Sequence, residues 1–290
     1  MNSSFLSRFI FLCIFLLASL SMAFSAGAPE KIGAWSILKK IPLDKQMAIQ
    51  QAMFLDDKFG IAISNTEISI TTDAGASWLK QSPRSQCFSG LDIKDRNTFA
   101  VGTGCIGLFK STNGGKTFAE DHQMRAPFLI SMISASSVIM SDRWNIVQTK
   151  QIDAPIAHCA LKAFCAVSGS LYTAVSKDSK CIISTDAGET WSERVISVDG
   201  SSPVFNEQTV CIRFIDENNG VIVYYSAEGK QKGWFILATA DGGKTWSQDN
   251  ITPYISQTGR PLVSQDGKIL TIVPVFGQGD ITIVKRSETK

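Results

Sequence analysis

Histidine is almost absent from this 290-residue chain, which has only His122 and His158, and neither sign of charge prevails: 28 Lys+Arg face 26 Asp+Glu, a net charge of +2. Two histidines are too few to make a zinc site with the cysteines. Without a basic excess, the chain is not a nucleic-acid binder of the electrostatic kind. With 44% hydrophobic residues it also lacks the low hydrophobicity of a disordered chain. Tyrosine is scarce, at four residues, and no arginine occurs from Gly27 to Pro83. What remains is glycine and aromatic content suited to turn-rich β structure, in a chain long enough to bury roughly 75% of its unfolded surface.

The N-terminus differs from the rest. Arg8 precedes an unbroken apolar run, Phe9 to Leu17, that fades through Ala18, Ser19 and Ser21. This is the pattern of a signal peptide, with small residues at the positions a signal peptidase reads in Ala23-Phe24-Ser25 and again in Ala26-Gly27-Ala28. Residues 1–25 are therefore expected to be removed, with cleavage after Ala28 as the alternative, leaving 29–290 as one domain. The run is shorter than the about 20 residues a spanning helix needs, so no membrane span is expected after cleavage. The expected location is periplasmic or secreted. Six cysteines then remain, Cys87, Cys105, Cys159, Cys165, Cys181 and Cys211, an even number that suits disulfides in an oxidising compartment, with buried free thiols as the alternative.

A repeat organises the remainder. Thr71-Thr-Asp-Ala-Gly-Ala-Ser-Trp78, Ser111-Thr-Asn-Gly-Gly-Lys-Thr-Phe118, Ser184-Thr-Asp-Ala-Gly-Glu-Thr-Trp191 and Thr239-Ala-Asp-Gly-Gly-Lys-Thr-Trp246 align without gaps. Their third positions, Asp73, Asn113, Asp186 and Asp241, lie 40, 73 and 55 residues apart. The longest interval suggests a degenerate copy near Ser141 to Gln148, with Trp144. An Asp or Asn oxygen accepts backbone N–H groups a few residues on and closes a turn. Glycine two positions later, at Gly75, Gly115, Gly188 and Gly243, supplies a positive φ. The terminal aromatics Trp78, Phe118, Trp191 and Trp246 are aimed at the gap between neighbouring sheets. Upstream, Phe54-Leu55-Asp56 and Phe214-Ile215-Asp216 share a phrase, with Gly90-Leu91-Asp92 as a weaker form. Three or four short strands in about 40 to 55 residues make the period of a propeller blade.

This arrangement resembles the Asp-box, or bacterial neuraminidase repeat, β-propeller, and most of all the photosystem II stability and assembly factor family. The expected fold is all-β: a propeller of four-stranded antiparallel blades, six of them, with seven as the alternative. Ala34 to Leu38 is expected to supply the missing strand of a sixth unit built from Leu262-Val263, Lys268 to Val275 and Asp280 to Val284, so closing the ring.

The fixed offset of the box aspartates from Gly and Trp marks them as turn holders rather than acids or bases. Function is expected on the opposite face, on the links between blades, taken as Leu79 to Gln86, Ala119 to Phe128, Ile196 to Thr209 and Asn250 to Pro261. Arg84, Arg125 and Arg260 fall in three of them, and converging guanidiniums suit a carboxylate, a phosphate or an acidic peptide. The resembling family is similar in using a basic patch to hold partners. The expected function is thus an exported, non-catalytic scaffold or assembly factor, a monomer that binds a protein or glycan partner and needs no cofactor, metal or nucleic acid. The alternative is a sialidase-like glycoside hydrolase, but that family's Arg-Ile-Pro type motif before the first box is absent, and no tyrosine has an assignable Glu partner. Cys87 and Cys211 each precede Asp92 or Asp216 by five residues, and Cys159 lies 27 residues before Asp186 against 26 for Cys87 before Asn113, which gives the three nearly the same place in three blades. Local pairs, Cys87 with Cys105 and Cys159 with Cys181, are then the expected disulfides.

Overall fold

A computed structural model describes residues 31–43, 48–83, 87–104, 107–122, 129–141, 145–148, 151–155, 161–176, 178–206, 209–227, 232–255, 258–275 and 279–287, with side chains not described in 142–160. The leader at 1–25 and both of its cleavage points lie outside these residues, as do Arg84, Arg125, Cys105 and Cys159. Among them no helix is long and apolar enough to cross a membrane.

The described strands form six antiparallel sheets. Blade 1 is Gln51–Phe54, Gly60–Ile63, Ile68–Thr71 and Leu79–Gln81; blade 2 is Phe88–Ile93, Phe99–Thr103, Gly107–Ser111 and Ala119–Asp121. Blade 3 is Leu129–Ser134, Ser137–Ser141, Asn145–Gln148 and Gln151–Pro155, and blade 4 is Leu161–Ala166, Tyr172–Ser176, Lys180–Ser184 and Ser192–Val195. Blade 5 is Val210–Phe214, Gly220–Ser226, Gly233–Thr239 and Ser247–Asn250. Blade 6 takes Gly259–Val263, Ile269–Pro274 and Asp280–Arg286 from the C-terminus and Trp35–Pro42 and Lys31–Ile32 from the N-terminus. The first strands of consecutive blades lie against one another all the way round, blade 6 meeting blade 1. The fold is thus a closed six-sheet propeller.

Closure comes from the N-terminal strand, which runs from Trp35 opposite Arg286 to Pro42 opposite Asp280, longer than the expected 34–38. Trp35 is fully buried and its carbonyl accepts the Tyr254 hydroxyl of the blade 5–6 link at 3.1 Å. The ring is therefore held by pairing between the two ends of the chain, so its order requires the whole chain.

The boxes join third to fourth strands as read from sequence. In the first, Gly75 N and Thr71 Oγ1 are 2.8 Å apart, Thr71 Oγ1 donates to Asp73 Oδ1 at 2.8 Å, and Asp73 accepts both Ser77 N (2.9 Å) and Ser77 Oγ (2.6 Å). The pattern recurs around Asp186 and Asp241. Where the sequence has Asn113, its Nδ2 donates to Thr117 Oγ1 at 2.7 Å instead. Hydrogen bonds from Ser77 hold Asp73 down to about 2, and those from Thr190 do the same for Asp186. A Cβ on Gly75 would meet Ile41 at 2.5 Å, and one on Gly115 would meet Ile70 at 2.4 Å, so each of these boxes presses its bare backbone on the preceding blade. The aromatics Trp78, Phe118, Trp191 and Trp246 are half-buried rather than sealed in the core.

Three expectations change. The segment 141–148 is not a degenerate box: Ser141 ends a second strand, Asn145–Gln148 is the third, and Gln151 begins the fourth, which leaves no room for eight residues between them. The counterpart of Asp56 and Asp216 in blade 2 is Asp95, not Asp92. Asp56 Oδ1 accepts Lys58 N and Phe59 N, Asp216 Oδ1 accepts Asn218 N and Asn219 N, and Asp95 Oδ1 accepts Asn97 N and Thr98 N. The shift of three residues also separates Cys87 from Cys211, which are not equivalent after all. Cys87 lies exposed just before its strand, and Cys211 is buried within one.

Candidate functional site

The inner strand of each blade is a sheet edge, so half of its backbone groups lack a ladder partner and need another one. Counting back from the residue that pairs with the start of the second strand puts the six inner strands on common levels. Those residues are Phe54, Ile93, Ala166 and Phe214, with Met132 and Val263, which pair with the second residue of that strand, completing the level in blades 3 and 6. One residue earlier come Met53, Asp92, Ser131, Cys165, Arg213 and Leu262.

At this level side chains tie blades 2 to 6 in succession. Asp92 Oδ2 accepts Met132 N at 2.7 Å, Ser131 Oγ accepts Ala166 N at 3.0 Å, Cys165 Sγ donates to Phe214 O at 3.7 Å, and Arg213 Nε donates to Val263 O at 3.3 Å. Between blades 6 and 1, Phe54 N donates to Thr271 Oγ1 at 3.1 Å. Three further bonds cross the channel. Arg213 Nη2 of blade 5 meets Asp92 Oδ1 of blade 2 at 2.8 Å, with 6% and 0% of those residues exposed. Gln265, which follows the inner strand of blade 6, donates to both Asp92 Oδ2 and Met132 O at 3.0 Å. Burial opposes the Arg213 charge, but the Asp92 carboxylate more than offsets it and raises the guanidinium above its ordinary value. The channel is thereby closed by a charged floor.

Two residues above that floor, one residue per blade lines a cavity of ≈ 340 Å³: Gln51, Gly90, Leu129, Ala163, Cys211 and Arg260. Gly90, Ala163 and Cys211 are small, which is why space remains at this level. Phe88, Phe164, Val210, Pro261 and Leu262 make apolar wall, and Arg213 reaches the cavity from below. Burial pushes the Cys211 thiol up to about 11, so this wall stays neutral.

Arg260 lies in an inner strand rather than in the link from Asn250. It is half-buried, no carboxylate pairs with it among the described residues, and burial alone draws its guanidinium below the ordinary value. Gln51 has the complementary deficit: its Nε2 donates to Ser89 O at 3.1 Å, while its buried Oε1 accepts no hydrogen bond. Arg260 thus offers the cavity a cation with no carboxylate partner among the described residues, whereas Gln51 Oε1 is closed off from solvent. No Asp or Glu is among the described residues lining it. Whether Arg84 and Arg125 converge on Arg260 lies outside the described residues.

Cys87, Cys165, Cys181 and Cys211 carry free thiols. Cys87, with φ 66°, also borders the cavity, and burial pushes the Cys181 thiol up to about 12. The floor was invisible in sequence because Asp92, Ser131, Cys165 and Arg213 share a level but no residue type.

The boxes and the ring together define the class: this is an Asp-box β-propeller. The family model described as "BNR/Asp-box repeat" matches residues 182–193, the box of blade 4. In three dimensions the chain is similar to YCF48 bound to a D1 peptide, at 16% identity and a TM-score of 0.53, over 93% of this chain and 100% of that one. YCF48 from Cyanidioschyzon merolae aligns at 13% identity and a TM-score of 0.50, over 88% and 99%. The GH74 xyloglucanase from Xanthomonas campestris aligns at 13% identity and a TM-score of 0.53, but this chain spans 46% of that one. No curated protein sequence matches.

Proposed function

We propose that this propeller is a non-catalytic scaffold that holds a protein partner by an acidic group seated on Arg260 in the central cavity. The observation that carries it is the half-buried guanidinium without a carboxylate partner among the described residues. A buried charge is costly unless it is paired, so this site gains from an anion supplied from outside. The apolar wall around it adds contact area, and none of the described lining residues is a carboxylate that could serve hydrolysis. The likeness to a propeller bound to a peptide agrees with a peptide ligand. Residues 1–25 direct export, so the partner is met in the periplasm or outside the cell. The N-terminus of the mature chain is expected at Ala26 or Pro29, which mass spectrometry reads directly.

The test is binding of a fluorescent acidic peptide to the mature chain. Arg260→Glu is expected to weaken it by about tenfold to a hundredfold, the worth of a charge-assisted bond. Adding Arg84→Glu and Arg125→Glu tests the other two link arginines. Unchanged affinity in the triple variant overturns the reading.

A further inference from the structure

A second cavity, of ≈ 260 Å³, opens at the seam of blades 4 and 5, beside the link from Ile196 to Thr209 that is expected to carry function. Its walls are fixed. Phe205, 5% exposed, packs edge-on against Tyr224 with ring centroids 5.1 Å apart, and Tyr225 packs on Trp234 at 5.5 Å. Tyr225 N donates to Thr209 O and Thr209 N to Asn206 O, each at 3.0 Å, which pins the link to the sheet. On the rim stands Val204, 70% exposed, more than any other large apolar side chain among the described residues. The polar residues Lys162, Asn206 and Ser226 of the lining are already engaged. What is left for a ligand is chiefly apolar surface, from Val204, Phe205 and the Tyr225 ring.

The neighbourhood of this cavity decides its occupant. Lys162 precedes Ala163 and Thr209 precedes Val210, and both Ala163 and Val210 line the central cavity, so the two cavities are a residue apart along each inner strand. Arg213–Asp92 and Gln265–Met132 cross the channel below, so a polypeptide held at Arg260 cannot thread through and must leave over the rim. We propose, resting on the reading of Arg260 above, that the second cavity takes an apolar side chain of the same polypeptide partner. Arg260 stands on the inner strand of blade 6 and Tyr225 on the second strand of blade 5. Facing sheets lie about 10 Å apart and paired strands about 4.8 Å apart, which separates the two sites by about 11 to 15 Å. At about 3.3 Å per extended residue, the apolar residue stands about three to five positions from the acidic one.

Fluorescence anisotropy on the full mature chain tests this with labelled glycine–serine decapeptides that carry one glutamate and one leucine at varied separation, and with a control in which serine replaces the leucine. Peptides spaced by three to five positions are expected to bind about tenfold tighter than the control and than the other spacings, the worth of a partly buried leucine. Val204→Asn, at an exposed position, should remove most of that gain and leave the control's affinity unchanged, a difference that unfolding cannot imitate. A gain that ignores spacing, or that survives Val204→Asn, overturns the second site; control binding that is still lost in Arg260→Glu then leaves the acidic-partner reading standing. Cellotetraose that lowers the leucine peptide to the control's affinity overturns an apolar occupant in favour of a glycan. Binding of every glutamate peptide that ignores Arg260→Glu overturns the underlying reading itself.

Discussion

The box turns and the channel are built by opposite rules. On the box face the same eight-residue turn recurs in blades 1, 2, 4 and 5, closed each time by a glycine N–H on the first Ser or Thr hydroxyl at 2.8 Å. Along the channel, the level that carries the ties has a different residue in every blade: Met53, Asp92, Ser131, Cys165, Arg213 and Leu262. Repetition supplies a scaffold because each blade faces the same packing problem. The channel is where six equivalent positions meet one another, and there asymmetry decides which charge is paired and which is left for a ligand.

The largest expected effect breaks the channel side. Removing one partner of the Arg213–Asp92 pair strands a buried charge, so Asp92→Asn or Arg213→Met should cost about 3–5 kcal/mol in chemical denaturation. The double replacement Asp92→Leu/Arg213→Met should recover much of that loss. Equal losses in the single and double variants would show that the pair is not coupled.

On the box side, half-burial scales the aromatic contribution down. A fully buried Trp would be worth roughly 4 to 6 kcal/mol by area, so Trp191→Ala should cost about 2–3 kcal/mol and leave ligand binding intact. A subtler contrast lies between two boxes. Trp191 Nε1 donates to Gly188 O at 3.0 Å, whereas the buried Trp246 Nε1 has no partner. Trp191→Phe should therefore cost about 1 kcal/mol more than Trp246→Phe.

Acid should affect the boxes through carboxylates whose folded values lie below their unfolded ones. Their contribution is complete above the ordinary aspartate range near 4 and is lost as pH falls toward the folded values of about 2 for Asp73 and Asp186. Thermal melts should show a stability decline between about pH 4 and 2 that Asp73→Asn partly removes. The smallest effect expected is a gain. Ala74 and Ala187 adopt φ of 62° where the other two boxes have Gly114 and Gly242, so Ala→Gly there should stabilise by up to about 1 kcal/mol.

What was legible in the sequence followed the repeat. The boxes, their turn role, the blade period, the six units and the closing N-terminal strand could all be read from residues that recur at a fixed offset. Blade 3 was misread because Trp144 lies in a segment with the box's composition but without its spacing, and Asp92 was mistaken for a turn aspartate three residues from the real one. Both errors come from matching a phrase rather than the hairpin it serves. Arg260 was singled out for its place near a link, and the structure puts it in the channel wall instead. Gln51, Asp92 and Arg213 gave no signal of their own, since a lone polar residue in an apolar strand takes its meaning from the strand across the axis.

The account turns on Arg213 being locked and Arg260 being free. Arginine side-chain ¹H–¹⁵N spectra recorded while the acidic peptide is added measure this directly. The account predicts that Arg260 resonances shift with saturation while those of Arg213 stay fixed and protected. An Arg260 that is already protected and does not respond, or an Arg213 that responds in its place, would contradict it.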